Sequence, residues 1–245
     1  MTNDSAVVLI TGSGRRIGAA LAADLHGGGY RIALHYQNSA AEAAALCTDF
    51  NQSRPDSAIA LQANLGNPSS RDALIPAVMA HFGRLDVLIN NASSFFPTPI
   101  GSGSDADWDA LFDANARAPF FLSQAAAPHL AQNNGCIINL LDIFAERPKP
   151  KHTVYCMAKA AQRMLTQSLA LELAPEVRVN GIAPGAILWP ESGKTPAQKQ
   201  AILDITPLAR IGHVDEICKA VRFLIEDATY CTGQILAVDG GRLLR

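Results

Sequence analysis

Short apolar runs alternate with longer stretches of helical spacing along this chain. Val7-Val8-Leu9-Ile10 is an apolar run ended by Thr11-Gly12, and it reads as a buried strand. Residues 17–25 then follow the 3.6-residue period, with Gly27-Gly28-Gly29 as a stop. The same reading places strands at 31–36, 58–62, 87–89, 136–141, 177–182 and 234–238. Helices are expected at 40–50, 69–82, about 105–130, 153–173, 197–204 and 214–225. Strictly alternating strands and helices predict an α/β fold: a Rossmann-type, doubly wound parallel sheet of about seven strands, with right-handed crossovers and helices on both faces. Residues 1–245 contain no linker, low-complexity tract or solenoid repeat, so one domain is expected. Residues 188–207 carry Pro190, Gly193, Pro196 and Pro207 and read as a loop with a short helix, a candidate lid.

Composition narrows the function classes. With 245 residues and 49% hydrophobic content, the chain can bury one large core. A net charge of −2 without a basic run argues against nucleic acid or an anionic membrane as partner. Five dispersed cysteines without C-x-x-C or His/Cys spacing give no metal site and suggest reduced thiols. The first apolar stretch is too short for a signal or a membrane span, so a cytoplasmic location is expected.

The chemistry gathers in the second half. Tyr155 and Lys159 are four residues apart, one turn on one helix face. The ammonium is expected to favour the ionised phenol, lowering its pKa and making Tyr155 a general acid. Asp142 ends the fifth apolar run, thirteen residues before Tyr155. Isolated Tyr-x-x-x-Lys pairs are common, and the trio gains weight only from its context. The helix that carries it is apolar nearly all round, through Met157, Ala158, Ala160, Ala161, Met164, Leu165, Leu169, Leu171 and Leu173. Either it is deeply buried or it packs on a second subunit, and we favour the second reading.

A nucleotide site is expected at the first strand–helix turn. Thr11-Gly12-Ser13-Gly14-Arg15-Arg16-Ile17-Gly18 would let backbone approach a pyrophosphate at a helix N-terminus. Arg15 and Arg16 oppose the helix dipole there, which suggests a compensating anion. The second strand ends Leu34-His35-Tyr36-Gln37-Asn38-Ser39, and no acid follows until Glu42. A site for NAD usually places an acid here, so Arg15, His35, Asn38 and Ser39 are read as receiving a 2′-phosphate, giving NADPH. Asn90 to Pro97 follows the fourth strand, where Phe95 or Phe96 could stack on a flat ligand. Asn115 lies among Leu111, Phe112 and Phe120 and is expected to be buried and bonded. Pro184-Gly185 follows the sixth strand.

Taken together, Thr11-Gly12…Gly18, Asn90-Asn91-Ala92, Tyr155-x-x-x-Lys159 and Pro184-Gly185 resemble the short-chain dehydrogenase/reductase family over essentially the whole chain. That family's tetrad corresponds to Asn115, a serine, Tyr155 and Lys159. This chain has Asp142 at the serine and Arg16 where most members have glycine. Both departures are shared by the pteridine reductases of the family. The segment Asn90 to Pro99, the pair His35-Tyr36 and the closing Asp239-Gly240-Gly241-Arg242-Leu243-Leu244-Arg245 also fit that subgroup. Asn38 stands at the subgroup's usual basic position, and Asn64 at the acid usually near adenine.

The resemblance implies hydride transfer from NADPH to a C=N bond of a pterin by a homotetramer. It implies cofactor contacts at Gly12, Gly14, Arg15, Arg16, Ile17, Gly18, His35, Tyr36, Asn38, Ser39, Asn64, Leu65, Asn91, Ala92, Tyr155, Lys159, Pro184, Gly185 and Ile187. It places the pterin between the nicotinamide and Phe95, with Ser93 and Arg16 at its polar edge and Asp142 and Tyr155 as proton relay. Lys159 would hold the ribose, and Asn115 would support a water chain. Two alternatives stay open: a reductase of carbonyls such as 3-oxoacyl thioesters, and a catalytically silent dinucleotide-binding regulator.

Overall fold

The computed structural model describes residues 6–189 and 193–245. Seven strands run β1 Val7–Ile10, β2 Arg31–Tyr36, β3 Ala58–Gln62, β4 Val87–Asn90, β5 Cys136–Leu140, β6 Arg178–Pro184 and β7 Ile235–Val238. They form one sheet in the order β3-β2-β1-β4-β5-β6-β7, and every neighbouring pair is parallel. The connecting helices are α1 Arg16–Gly27, α2 Ala40–Ser53, α3 Pro68–Asp72, α4 Leu74–Phe82, α5 Asp105–Phe112, α6 Ala118–Ala131, α7 Thr153–Glu172, α8 Pro196–Asp204 and α9 Val214–Glu226.

Strand alternation divides the core in two. Val8, Ile10, Ile32, Leu34, Ile89 and Ile138 face Leu21 and Leu25 of α1 and Ile217, Val221 and Leu224 of α9. Val7, Leu9, Leu88, Ile137 and Val179 face the other way, onto α4, α6 and Leu169 of α7. Burial on both faces is why these strands read as continuous apolar runs rather than alternating ones.

Two expected helices are interrupted, and proline explains both. The helix expected at 69–82 breaks at Ala73, because Pro76 has no N–H for the carbonyl of Asp72 and crowds it. The helix expected at about 105–130 opens into a π-turn at Asp113–Arg117, where the Ala118 N–H bonds to the Asp113 carbonyl. Pro119 has no N–H for the carbonyl of Asn115, and the Asn115 side chain donates to the Leu111 carbonyl at 2.8 Å instead.

In such a sheet, ligands bind beyond the carboxyl ends of the strands where the order reverses, here between β1 and β4. The Asn91 side chain bridges that gap, donating to the carbonyls of Thr11 at 2.8 Å and Gly12 at 3.0 Å.

Candidate active site

The β1–α1 turn is shaped by close approach. Gly12 has φ +64°, and a Cβ there would stand 2.9 Å from the Cα of Ala92. A Cβ on Gly18 would meet the Gly12 carbonyl at 2.3 Å. Gly14 lies against Ser39. The first turn of α1 has no capping side chain and no acidic residue. Its amides therefore face a cleft of about 910 Å³ lined by Gly12, Arg15, Arg16, Ile17, Gly18, His35, Tyr36, Asn38, Ser39, Asn64, Leu65, Asn91 and Ala92. A second cavity of about 230 Å³ shares Arg16, Ile17, Asn91 and Ser93 with it. That cavity continues to Asp142, Lys159, Pro184, Gly185 and Ile187. Uncapped helix amides, a glycine-containing turn and a cleft of this size fit a dinucleotide.

One expected cofactor residue has a different task. His35 is buried, its Nδ1 accepts from the Gly12 N–H at 3.0 Å, and its Nε2 faces the Ala63 carbonyl at 3.1 Å. Burial brings its pKa down to about 4, so the ring is neutral and Nε2 carries the proton. Both nitrogens are occupied, so His35 positions the glycine turn and is not a cation for a 2′-phosphate. Arg15 lies 3.9 Å from Glu42, the first acid after β2.

At the other end, the Tyr155 hydroxyl donates to Oδ2 of Asp142 at 2.8 Å. Oδ1 of Asp142 accepts the Phe144 N–H at 3.0 Å, which starts a 3₁₀ turn over Ile143–Ala145. Burial raises the Asp142 pKa, while the Phe144 N–H, Tyr155, Lys159 and Arg242 oppose that rise. The phenol is held well above its ordinary value by burial, then by the charge and hydrogen bond of Asp142. The expectation that Lys159 lowers the phenol's pKa is therefore overturned. The Lys159 ammonium donates to the Leu140 carbonyl at 2.8 Å and to Oε1 of Gln162 at 3.0 Å, and Asp142 governs Tyr155. Lys159 is fully buried, and burial brings it down to about 8.

Asn115 is fully buried, as expected. Its amide donates to the Ser94 carbonyl at 2.9 Å, and its Oδ1 accepts from the Ser93 hydroxyl at 2.7 Å. Phe95 is 51% exposed and stands edge-on to Tyr155 with ring centres 4.7 Å apart. Its ring stacks on His152, also at 4.7 Å. Arg16 has φ +55°, and its guanidinium reaches the Trp189 carbonyl at 3.5 Å. The structure therefore gathers Arg16, Ser93, Asp142 and Lys159 around one cavity, with Tyr155 bonded to Asp142 and Phe95 against Tyr155. Part of the candidate lid, residues 190–192, lies outside the described residues; residues 196–204 form α8, one residue longer at its start than the short helix expected there.

Sequence reasoning missed a buried polar chain behind Lys159. Asn90 donates to Asn139 at 2.8 Å, Asn139 to Thr166 at 2.9 Å, and Thr166 to the Gln162 carbonyl at 2.9 Å. Lys159, Gln162 and Thr166 share the buried face of α7, whereas Met157, Met164 and Leu171 are exposed. The polar spacing 159, 162, 166 on a mostly apolar helix was the available signal.

A family model described as enoyl-(acyl carrier protein) reductase matches residues 12–242. Pteridine reductase 1 of Leishmania tarentolae is 36% identical, covering 96% of this chain and 95% of its own. A 3-oxoacyl-[acyl-carrier-protein] reductase of Staphylococcus aureus is also 36% identical, covering 95% and 96%. Versicolorin reductase of Emericella nidulans is 31% identical, covering 97% and 96%. Among the described residues, no helix is long and apolar enough to cross a membrane, and no His/Cys/Asp/Glu group could hold a metal ion. With its parallel seven-stranded sheet, the chain belongs to the short-chain dehydrogenase/reductase family, as an NAD(P)-dependent oxidoreductase.

Proposed function

We propose that the protein is an NADPH-dependent pteridine reductase, reducing a C=N bond of a dihydropterin, with oxidised pterins or dihydrofolate as further acceptors. The observation that carries this reading is the hydrogen bond from Tyr155 to Asp142, a carboxyl where a carbonyl reductase would want a hydroxyl. A nicotinamide cofactor, when bound, supplies the hydride. The residues supply the rest. A ring nitrogen that gains negative charge needs a proton source, and Tyr155, kept protonated by Asp142, is that donor. Asp142 accepts from the amino-pyrimidine edge, and a solvent proton restores the phenol after each turnover. Phe95 offers an exposed ring for stacking, and Ser93 and Arg16 polar contacts at the edge.

The α1 amides and Arg15 would hold the pyrophosphate. Asn38 and Ser39, with no acid beside them at the end of β2, suit a 2′-phosphate. Lys159 with Asn91, Pro184, Gly185 and Ile187 would hold the nicotinamide end. Asn115 acts by positioning Ser93 and Ser94. Exposed Met157, Met164 and Leu171 on α7, with Phe120 and Phe121 on α6, support assembly as a homotetramer. Light scattering giving a monomer would contradict that assembly.

The second reading, a 3-oxoacyl thioester reductase, draws on relatives of equal identity. Steady-state assays with dihydrobiopterin, dihydromonapterin, dihydrofolate and an acetoacetyl thioester, each with NADPH and NADH, separate the two. Pterin turnover with a preference for NADPH is expected. Thioester turnover without pterin turnover sinks the proposal, and cofactor binding without any turnover indicates a regulator.

A further inference from the structure

Beside Asp142 stands a group of cations that the proposed chemistry does not use. The Lys149 ammonium lies 5.1 Å from the centre of the Phe144 ring, and the Arg242 guanidinium lies 5.6 Å from the same centre. Arg147 donates to the Arg242 carbonyl at 2.8 Å. Phe144 is the residue whose N–H bonds to Asp142, and the charge of Asp142 acts on both Lys149 and Arg242, so these cations stand near the Asp142 end of the site. They come from separate parts of the chain, the segment after β5 and the C-terminal 3₁₀ turn Arg242–Leu244. Lys194 adds a further positive charge that acts on Lys149. All four are half-buried.

The nearby acids are committed elsewhere. Asp142 is bonded to Tyr155 and Phe144. The two oxygens of Asp239 accept the N–H groups of Gly241 at 2.8 Å and Leu243 at 2.6 Å. Glu146 pairs with Arg163 at 3.0 Å. Among the described residues, none of Arg147, Lys149, Lys194 and Arg242 lies in an ion pair. Their mutual repulsion is felt. Burial, then Arg242 and Lys194, lowers the Lys149 pKa. Arg242 is lowered by burial, and Arg147 adds to that. Asp142 opposes both shifts and Asp239 that of Arg242, yet among the described residues neither acid reaches ion-pair distance of these cations. Like charges clustered half out of water are costly, and such costs concentrate where a ligand supplies further negative charge. The cofactor's phosphates would be held by the α1 amides instead, at the β1–α1 turn.

We propose that Lys149 and Arg242, supported by Arg147 and Lys194, form a subsite for an anionic group on the substrate's tail. That group is a carboxylate or phosphate on a molecule whose ring sits at Asp142 and Tyr155. The proposal rests on the pterin reading for the identity of that ring, not for the charge of its tail. It makes a tail-bearing anionic pterin a better substrate than one with a neutral side chain.

The test compares dihydrofolate (carboxylate tail), dihydroneopterin monophosphate (phosphate tail) and dihydrobiopterin (neutral tail), each with NADPH. The proteins are the wild type, Lys149→Gln/Arg242→Gln and the charge-retaining Lys149→Arg/Arg242→Lys. In the neutralised variant, kcat/KM for an anionic-tailed substrate should fall about tenfold relative to dihydrobiopterin, through KM, and the charge-retaining variant should recover most of it. Which anionic substrate responds tells carboxylate from phosphate. An equal change for all three substrates, or none, overturns the subsite. The same ratios are read as dissociation constants on the NADPH-loaded protein. If no pterin is bound or reduced but a thioester is, the pterin reading fails by itself. Acetoacetyl-coenzyme A against its neutral N-acetylcysteamine counterpart then makes the same comparison of charge, and an unchanged ratio overturns the subsite there too.

Discussion

The Tyr155 hydroxyl donates to Asp142 at 2.8 Å, and this contact holds the proton of the site. Both pKa values are pushed upward, by burial first in each case. The pair therefore keeps a proton at neutral pH, which in the proposed reaction would go to a substrate nitrogen. Removing the hydroxyl while keeping the ring, in Tyr155→Phe, should lower kcat by about 10²–10⁴-fold. NADPH binding, measured by fluorescence titration, should stay within about twofold. A normal kcat would show that the proton comes from elsewhere.

Asp142→Ser replaces the carboxyl by a hydroxyl. Pterin turnover should fall by about tenfold or more in kcat/KM, since the amino-pyrimidine loses its acceptor. Thioester reduction, if present at all, should be spared or improved. Unchanged pterin kinetics would return Asp142 to the role of a turn cap for Phe144.

His35 gives a stability prediction with a definite sign. In the folded chain its pKa is about 4 against an ordinary 6.5. Between those values the unfolded chain takes a proton that the folded chain refuses. Its contribution is complete above 6.5 and is lost as pH falls toward 4, on the order of 3 kcal/mol at about 1.4 kcal/mol per pH unit. Urea unfolding from pH 7 to pH 4 should therefore show a steeper loss for the wild type than for His35→Gln. Parallel curves would refute this assignment.

The Lys159 ammonium titrates at about 8 in the free protein. Because burial lowers it, the charged form is present below that pH and is lost as pH rises through it. If the ammonium holds the nicotinamide end, kcat/KM for NADPH should decline above about pH 8. A profile that stays flat to pH 10 would remove Lys159 from that role.

Much of this protein could be read from residue order. All seven strands fall within a residue or two of the apolar runs; β1, β4 and β5 are buried throughout and so are nearly continuously apolar, whereas the edge strands β3 and β7 are only partly buried. The glycine turn, Asn91 and Pro184-Gly185 are local signals at strand ends and Lys159 is one on α7, and the fold brings them to two adjoining cavities, with Tyr155 bonded to Asp142 beside them.

What sequence could not supply were relations between distant segments. It placed Tyr155 and Lys159 on one helix turn, but not the Leu140 carbonyl and Gln162 that hold the ammonium. It read His35 as a contact for a 2′-phosphate, but not the Gly12 N–H and Ala63 carbonyl that make it a neutral support. It did not pair Phe144 with Arg242, nearly a hundred residues on, or Asn90 with Asn139. Periodicity reports which face of an element is buried, whereas charge state and hydrogen-bond partner depend on which other face it meets. Only the packed sheet and its helices decide that.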